Sequence, residues 1–275
     1  MNEENSREWA NSAPFWEKHA GTIRTMFSPV TTALIEEARI RSGHNVLDVA
    51  GGAGEPALTI AALVGAEGSV TYTDLVAGMK STAEAEAQRR GIANVKFQQC
   101  PADSLPFGEN SFDVVVSRLG AMFFPDPLAA LREMQRVTKP GGTLSLVVWG
   151  QSEVNPFSYE ITNVVSQYLP PGPPSLTHDA FRFAEPGKLT GVLQEAGVRN
   201  IRERLLKFDI AAPISPKEFW VMRSETSDTL RNKLAAAPVA TRLKVRDEAL
   251  RAIDKYFPEN QMKFPAQMLI VTGTA

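Results

Sequence analysis

The stretch from Asn45 to Ala57, NVLDVAGGAGEPA, constrains the fold of this chain more than any other. Val46, Leu47 and Val49 make a short, branched, apolar run, the pattern of a parallel strand buried on both faces, and the run stops at a cluster of glycines. Glu55-Pro56 then opens a helical run from Ala57 to Leu63, with proline in the first turn, where its missing N–H costs nothing. Strand, glycine turn and helix start follow without a gap. Gly51, Gly52 and Gly54 carry no side chains, so a small polar ligand can lie against the backbone and the N–H groups at the helix entrance.

The same rhythm continues downstream. The first helix ends near Gly65 to Gly68, and Ser69 to Asp74 (SVTYTD) reads as a second strand with an acid at its carboxyl end. A helix from Ala77 to Arg90 stops at Gly91. Asn94 to Gln99, Phe112 to Ser117 and Gly142 to Trp149 read as further strands, with a helix from Pro127 to Val137 before the last of them. Alternation of this kind predicts an α/β fold whose sheet is largely parallel and covered by helices on both faces.

Both flanks depart from that rhythm. Residues 1–40 carry two helical patterns, Glu8 to His19 and Ser28 to Ile40, with Trp9, Phe15, Trp16 and Phe27 among polar residues, and are expected to form a helical N-terminal cap. The core spans 41–150. Residues 151–184 contain Pro156 and the run Leu169-Pro-Pro-Gly-Pro-Pro174, which no regular element tolerates, so a lid with a short helix from Ser158 to Tyr168 is expected. Residues 185–275 return to a helix, Pro186 to Ala196, and a strand, Ile201 to Ile210. A helical insertion at 215–257 and a last strand, Gln267 to Thr272, complete the chain.

Composition narrows the partners. Twenty-nine Lys plus Arg against 31 Asp plus Glu give a formal charge of -2, so no overall field favours nucleic acid or an anionic membrane. Cys100 is the single cysteine, and three scattered histidines offer no metal-ligand spacing, so neither a disulfide framework nor a metal is expected. The polar N-terminus, MNEENSREWANS, does not read as a signal peptide, and no run approaches the roughly 20 apolar residues of a membrane helix. A cytoplasmic monomer or homodimer acting on a small molecule is the expectation.

A glycine turn after a strand also occurs in dinucleotide-binding domains, and Asp74, 20 residues after Gly54, suits a ribose in either case. The surroundings discriminate. PADSLPF (101–107), SFDVVVS (111–117) and LREMQRVTKPGGTLSLVVW (131–149) follow in fixed order. Together with the turn, across about residues 40 to 150, they resemble the class I S-adenosylmethionine-dependent methyltransferases, especially the ubiquinone/menaquinone-methyltransferase-like branch. Ala50, where glycine is common in the wider family, marks that branch.

The resemblance implies a Rossmann-like three-layer sandwich with a seven-stranded, mostly parallel sheet and an antiparallel last strand. It implies S-adenosyl-L-methionine as cofactor, S-adenosyl-L-homocysteine as product, and no metal. Asp48 with Ala50, Gly51, Gly52 and Gly54 would hold the methionine part, and Asp74 the ribose. Leu75 and Val76 would pack near the adenine, and Ala102 and Asp103 would read its edge. Ser117 and Arg118, with Leu119, would line the floor near the methyl group. Asp48 and Asp103 also suit simple capping roles, and Glu55 suits a helix start.

Because the sulfonium is already activated, the chain must chiefly orient an acceptor, and a base is needed only for a phenol or an acidic carbon. His19 and His178 are the candidate bases, although each reads more readily as a surface or capping residue. Trp16, Met122, Phe123, Phe157, Trp220 and Met222 are the expected pocket lining, which favours an apolar or aromatic acceptor methylated on oxygen or carbon. The competing readings are a non-catalytic module that binds the cofactor or a protein, and an NAD-dependent dehydrogenase, in which PADSLPF and the KPGG strand lead would have no role.

Overall fold

A computed structural model describes residues 3–169 and 179–275. One long helix, α1 (Glu3–Glu37), precedes β1 (Asn45–Val49), α2 (Ala57–Val64), β2 (Ser69–Asp74), α3 (Ala77–Arg89) and β3 (Val95–Gln99). Then come β4 (Phe112–Arg118), α4 (Pro127–Val137) and β5 (Thr138–Trp149). Beyond β5 lie α5 (Pro156–Tyr168), α6 (Lys188–Glu195), β6 (Arg199–Ala212), α7 (Pro216–Thr226), α8 (Asp228–Ala236), α9 (Val239–Ile253) and β7 (Met262–Thr274).

The strands form one seven-stranded sheet in the order β3-β2-β1-β4-β5-β7-β6. Every pairing is parallel except those of β7, which runs antiparallel to both β5 and β6. This is the largely parallel sheet expected from the alternation and the Rossmann-like architecture implied by the resemblance. The central strands are buried on both faces, with Val46, Leu47, Val115, Val116, Leu144 and Leu146 fully enclosed, and that burial is why their sequences run apolar without alternating. The chain leaves β1 toward β2 on one side and leaves β4 toward β5 on the other. Right-handed crossovers therefore send α2 and α4 to opposite faces. A crevice opens where β1 and β4 diverge, beyond their carboxyl ends, and this is the place such sheets offer a ligand.

Several elements differ from their sequence expectations, each for a physical reason. The cap is one helix rather than two, with Pro14 and Pro29 inside it. Proline at 29 cannot donate to the Thr25 carbonyl, and the Ser28 hydroxyl donates to it instead at 3.0 Å. Met26, Val30 and Leu34, buried at helical spacing, press the second half of α1 onto the core. Strand β5 begins at Thr138 rather than Gly142, because a register shift opposite Phe112 and Val114 absorbs the KPGG segment.

Strands β6 and β7 are longer than expected because each extends the other, from Arg199 opposite Thr274 to Ala212 opposite Met262. Pro265 is tolerated in β7 because β5 pairs only as far as Met268, so the proline nitrogen faces an unpaired edge. The insertion breaks into three helices where Ser227 caps α8 and Pro238 precedes α9. Its first helix starts on a capping box between Ser215 and Glu218. Helix α5 is tied to this insertion by the Tyr168 hydroxyl, which donates to Glu248 at 2.6 Å, and by the Tyr256 hydroxyl, which donates to Glu160 at 2.9 Å. No helix of the described residues is long and apolar enough to cross a membrane.

Candidate active site

The chain turns as soon as β1 ends. Ala50 (φ 59°), Gly52 (φ 55°) and Gly54 (φ 109°) all take left-handed backbone, free for glycine and mildly strained for alanine. Gly51 is needed for space instead: a Cβ there would lie 2.5 Å from the Tyr72 ring and 2.7 Å from Asp48 Oδ2. Parallel register sets Asp48 beside Tyr72, so β2 can hold the turn that follows β1. The Gly51 N–H donates to the Thr73 carbonyl at 3.0 Å, and the Tyr72 hydroxyl donates to the Gly52 carbonyl at 2.6 Å. From the other neighbour, Gly120 lets the chain after β4 close on the turn, since a Cβ there would lie 2.7 Å from that of Ala50. Glu55 accepts from Arg90 at 2.5 Å and from the Thr59 hydroxyl at 2.6 Å, joining the start of α2 to the end of α3.

Two acids flank the glycine turn, and of the two only Asp74 lines the cleft. Asp48 is fully buried; Oδ2 accepts from the Ala57 N–H at 3.2 Å, while Oδ1 has no partner among the described residues. Burial pushes its carboxyl up to about 7, opposed by the nearby positive charge of Arg118. Asp74 ends β2, and its two oxygens accept from the N–H groups of Gly52 at 3.0 Å and Val76 at 2.8 Å. Burial raises its carboxyl too, and those backbone hydrogen bonds restrain the rise. Arg118 donates to the Thr31 hydroxyl at 2.8 Å, with its guanidinium pushed below the usual arginine range by burial. The Ser117 hydroxyl beneath the turn is buried without a partner.

Asp74 lies on a cleft of about 460 Å³, mouth included, together with Ala50, Leu75, Ala102, Asp103 and Cys100. The cleft's far wall is Phe124 to Asp126, where Asp126 caps α4 by accepting from the Ala129 N–H at 2.9 Å. The Cys100 thiol is pushed up to about 11 by burial, which keeps it protonated. Two residues of α4 fix the loop carrying Asp103. Glu133 accepts from the Leu105 N–H at 2.9 Å, and Arg136 donates to the carbonyls of Leu105 at 3.1 Å and Phe107 at 2.9 Å. The sequence reading named neither Glu133 nor Arg136. Their spacing, i and i+3 on one helix face, was the available signal. Tyr72 was also unnamed, although it is the one aromatic in the strand beside the turn.

The other candidate residues fall in two places. Trp16 and Phe123 both pack on Trp9, at 6.0 and 5.3 Å between ring centres, and Trp16 also packs against Val76 and Met79. Met122 is buried beside Phe123. Phe157 lies deeper, 6.1 Å from Trp149 and 5.5 Å from Phe219, while Trp220 and Met222 are buried on α7. None of these six residues lines the 460 Å³ cleft. His19 joins α1 to α7, its Nε2 standing 2.7 Å from Glu225 Oε2, and Lys18 reaches the same carboxylate at 2.8 Å. Burial alone would raise the Glu225 carboxyl, but these two partners hold it below the usual range. His178 lies outside the described residues.

Comparison with known proteins fits this geometry. The model of the ubiE/COQ5 methyltransferase family matches residues 31–213. The ubiquinone/menaquinone biosynthesis C-methyltransferase UbiE of Cellvibrio japonicus is 35% identical over 177 residues, covering 60% of this chain and 71% of that protein. An uncharacterized protein of Mycobacterium tuberculosis is 39% identical over 124 residues, 45% of this chain and 44% of its own length. Among solved structures, a SAM-dependent methyltransferase from Aquifex aeolicus shares the fold, with a TM-score of 0.51 at 23% identity, over 64% of this chain and 82% of that one. The matched span includes the glycine turn, the second-strand acid and the 101–107 loop, and the chain belongs to the ubiE/COQ5 methyltransferase family, an S-adenosylmethionine-dependent methyltransferase.

Proposed function

We propose that this chain transfers a methyl group from S-adenosylmethionine to the oxygen or carbon of a small apolar or aromatic acceptor. The observation that carries this reading is one cleft, beyond the ends of β1 and β2, shared by the turn residue Ala50, Asp74 and the Ala102-Asp103 pair. The donor set suits the cofactor, because Asp48 Oδ1 and the Ser117 hydroxyl are buried polar atoms without partners, which a bound ligand would relieve. Asp74 would accept from the ribose hydroxyls, with Leu75 and Val76 beside the base and Ala102 and Asp103 at its edge. Asp48 and the turn from Ala50 to Gly54 would hold the methionine portion, above a floor of Ser117 and Arg118.

When bound, the cofactor supplies a methyl group already activated by its sulfonium. The chain then has to hold the acceptor in line, and such orientation can lower a barrier by about 7 kcal/mol or more. Trp16, Met122 and Phe123 on one side and Phe157, Trp220 and Met222 on the other, all outside the cleft itself, would supply the apolar surroundings that favour such an acceptor. Where the acceptor must lose a proton, His19 is the proposed base. Glu225 accepts from its Nε2–H, a tautomer assigned from that partner, which leaves Nδ1 unprotonated.

Thermal unfolding with each cofactor tests the reading: S-adenosylhomocysteine raises the midpoint and NAD does not. Stabilisation by NAD alone would sink it. Labelled-methyl transfer to a panel of phenols, quinols, thiols and amines then tests the acceptor, and transfer confined to thiols or amines would overturn the oxygen-or-carbon assignment.

A further inference from the structure

Arg223, on α7, holds its guanidinium carbon 5.1 Å from the centre of the Phe157 ring. Its Nε is shut off from solvent and has no hydrogen-bond partner among the described residues. Burial pushes its pKa down to about 10, with no neighbouring charge or hydrogen bond acting the other way. Other partly covered arginines are treated differently. Arg90 holds Glu55, Arg136 holds Glu133 and Arg231 holds Asp228. A cation withdrawn from water without a counter-charge destabilises a fold, and the face of Phe157 offsets only part of that.

Aromatic contacts link Arg223 to the ends of β4 and β5. Phe157 stacks on Trp149 at 6.1 Å and 18°, and meets Phe27 edge-on at 6.0 Å. Trp149 is the last residue of β5, and Phe27 lies under the guanidinium of Arg118, the last residue of β4. The uncompensated cation thus stands above an aromatic floor at the carboxyl ends of the two strands that follow the glycine turn across the sheet. An acceptor would approach a ligand bound in the β1–β4 crevice from this side.

We propose that Arg223 anchors a carboxylate on the methyl acceptor, whose apolar body lies against the Trp149–Phe157 pair. The inference rests on the methyl-transfer reading and adds to it an acid group on the acceptor. The two terminal nitrogens, which are not shut off as Nε is, form the end-on face of the guanidinium fork, which matches the two oxygens of a carboxylate. Arg118 also has a buried Nε without a partner among the described residues, but its Nη1 donates to Thr31 and the Phe27 carbonyl and it feels the charges of Asp48 and Glu55, which Arg223 does not.

The test is calorimetric titration of the full chain with 2-naphthoate and with its neutral analogue 2-naphthalenemethanol, each with and without saturating S-adenosylhomocysteine. The wild type binds the acid at least about tenfold more tightly than the alcohol. R223M loses that preference, and R223K, which keeps the charge but not the fork, retains about a third of it. Should R223M fail to fold, the reduced preference of R223K carries the test. Equal binding of acid and alcohol by the wild type, no binding of the acid, or an acid preference unchanged in the variants overturns the proposal. Absence of S-adenosylhomocysteine binding strikes the methyl-transfer reading instead, and the titrations without it still report on Arg223.

Discussion

Gly52 donates its backbone N–H to Asp74 Oδ2 at 3.0 Å, so a single carboxylate ties the turn after β1 to the end of β2. The other oxygen of Asp74 receives the Val76 N–H at 2.8 Å, which sets the first turn of α3 against the same acid. Asp74 therefore stands at a fixed place on the cleft before any ligand arrives. Such pre-organisation limits the ordering that binding requires.

Replacing Asp74 with alanine removes a charged acceptor from the cleft. D74A is expected to weaken S-adenosylhomocysteine binding by about 2–4 kcal/mol, read by calorimetry. Wild-type affinity in D74A, with the fold intact by circular dichroism, removes Asp74 from the cofactor site.

Asp48 gives the protein a pH dependence of definite sign. Its carboxyl rises from 3.8 to about 7 on folding, so between those values the native state binds the extra proton and stability falls as pH rises. The contribution is fully present below pH 4 and lost once the pH has passed about 7. D48N cannot ionise, so its stability relative to wild type should improve by a few kcal/mol, ~4 at most, between pH 4 and pH 8. Urea unfolding of both proteins across that range measures the difference. A constant difference would show that Asp48 is ionised throughout.

Arg136 acts on the cleft from outside it. Its two hydrogen bonds to the carbonyls of Leu105 and Phe107 hold the loop that presents Ala102 and Asp103. R136A is expected to weaken S-adenosylhomocysteine binding by about 1–2 kcal/mol while global unfolding changes less. Hydrogen exchange that speeds up at residues 102–107 alone would locate the effect, and unaltered exchange there would refute it.

Much of the core was legible because its signals are local. The apolar run of β1, the glycines after it and the acid closing β2 are separated by few residues, and each follows from backbone sterics or from burial on both faces of a sheet. The boundaries of β2 and α4 coincide with the sequence reading, and those of α3 and β4 shift by one residue. The shared cleft of Ala50, Asp74, Leu75, Ala102 and Asp103 follows from parallel register, once the strands alternate with helices.

What lies outside the core depends on partners distant in sequence. Residues 8–19 and 28–40 read as two helical patterns, yet burial of Met26, Val30 and Leu34 accompanies a single helix through both. Spacing cannot reveal that His19 meets Glu225 across 206 positions, or that Arg223 lies over Phe157 with no carboxylate beside it among the described residues. By itself the sequence determined the doubly wound sheet and the glycine turn, because strand period, turn chemistry and crossover handedness are short-range. Only the tertiary structure decided which side chains face one another above the strand ends, because the insertion's position there is set by packing between segments far apart in the chain.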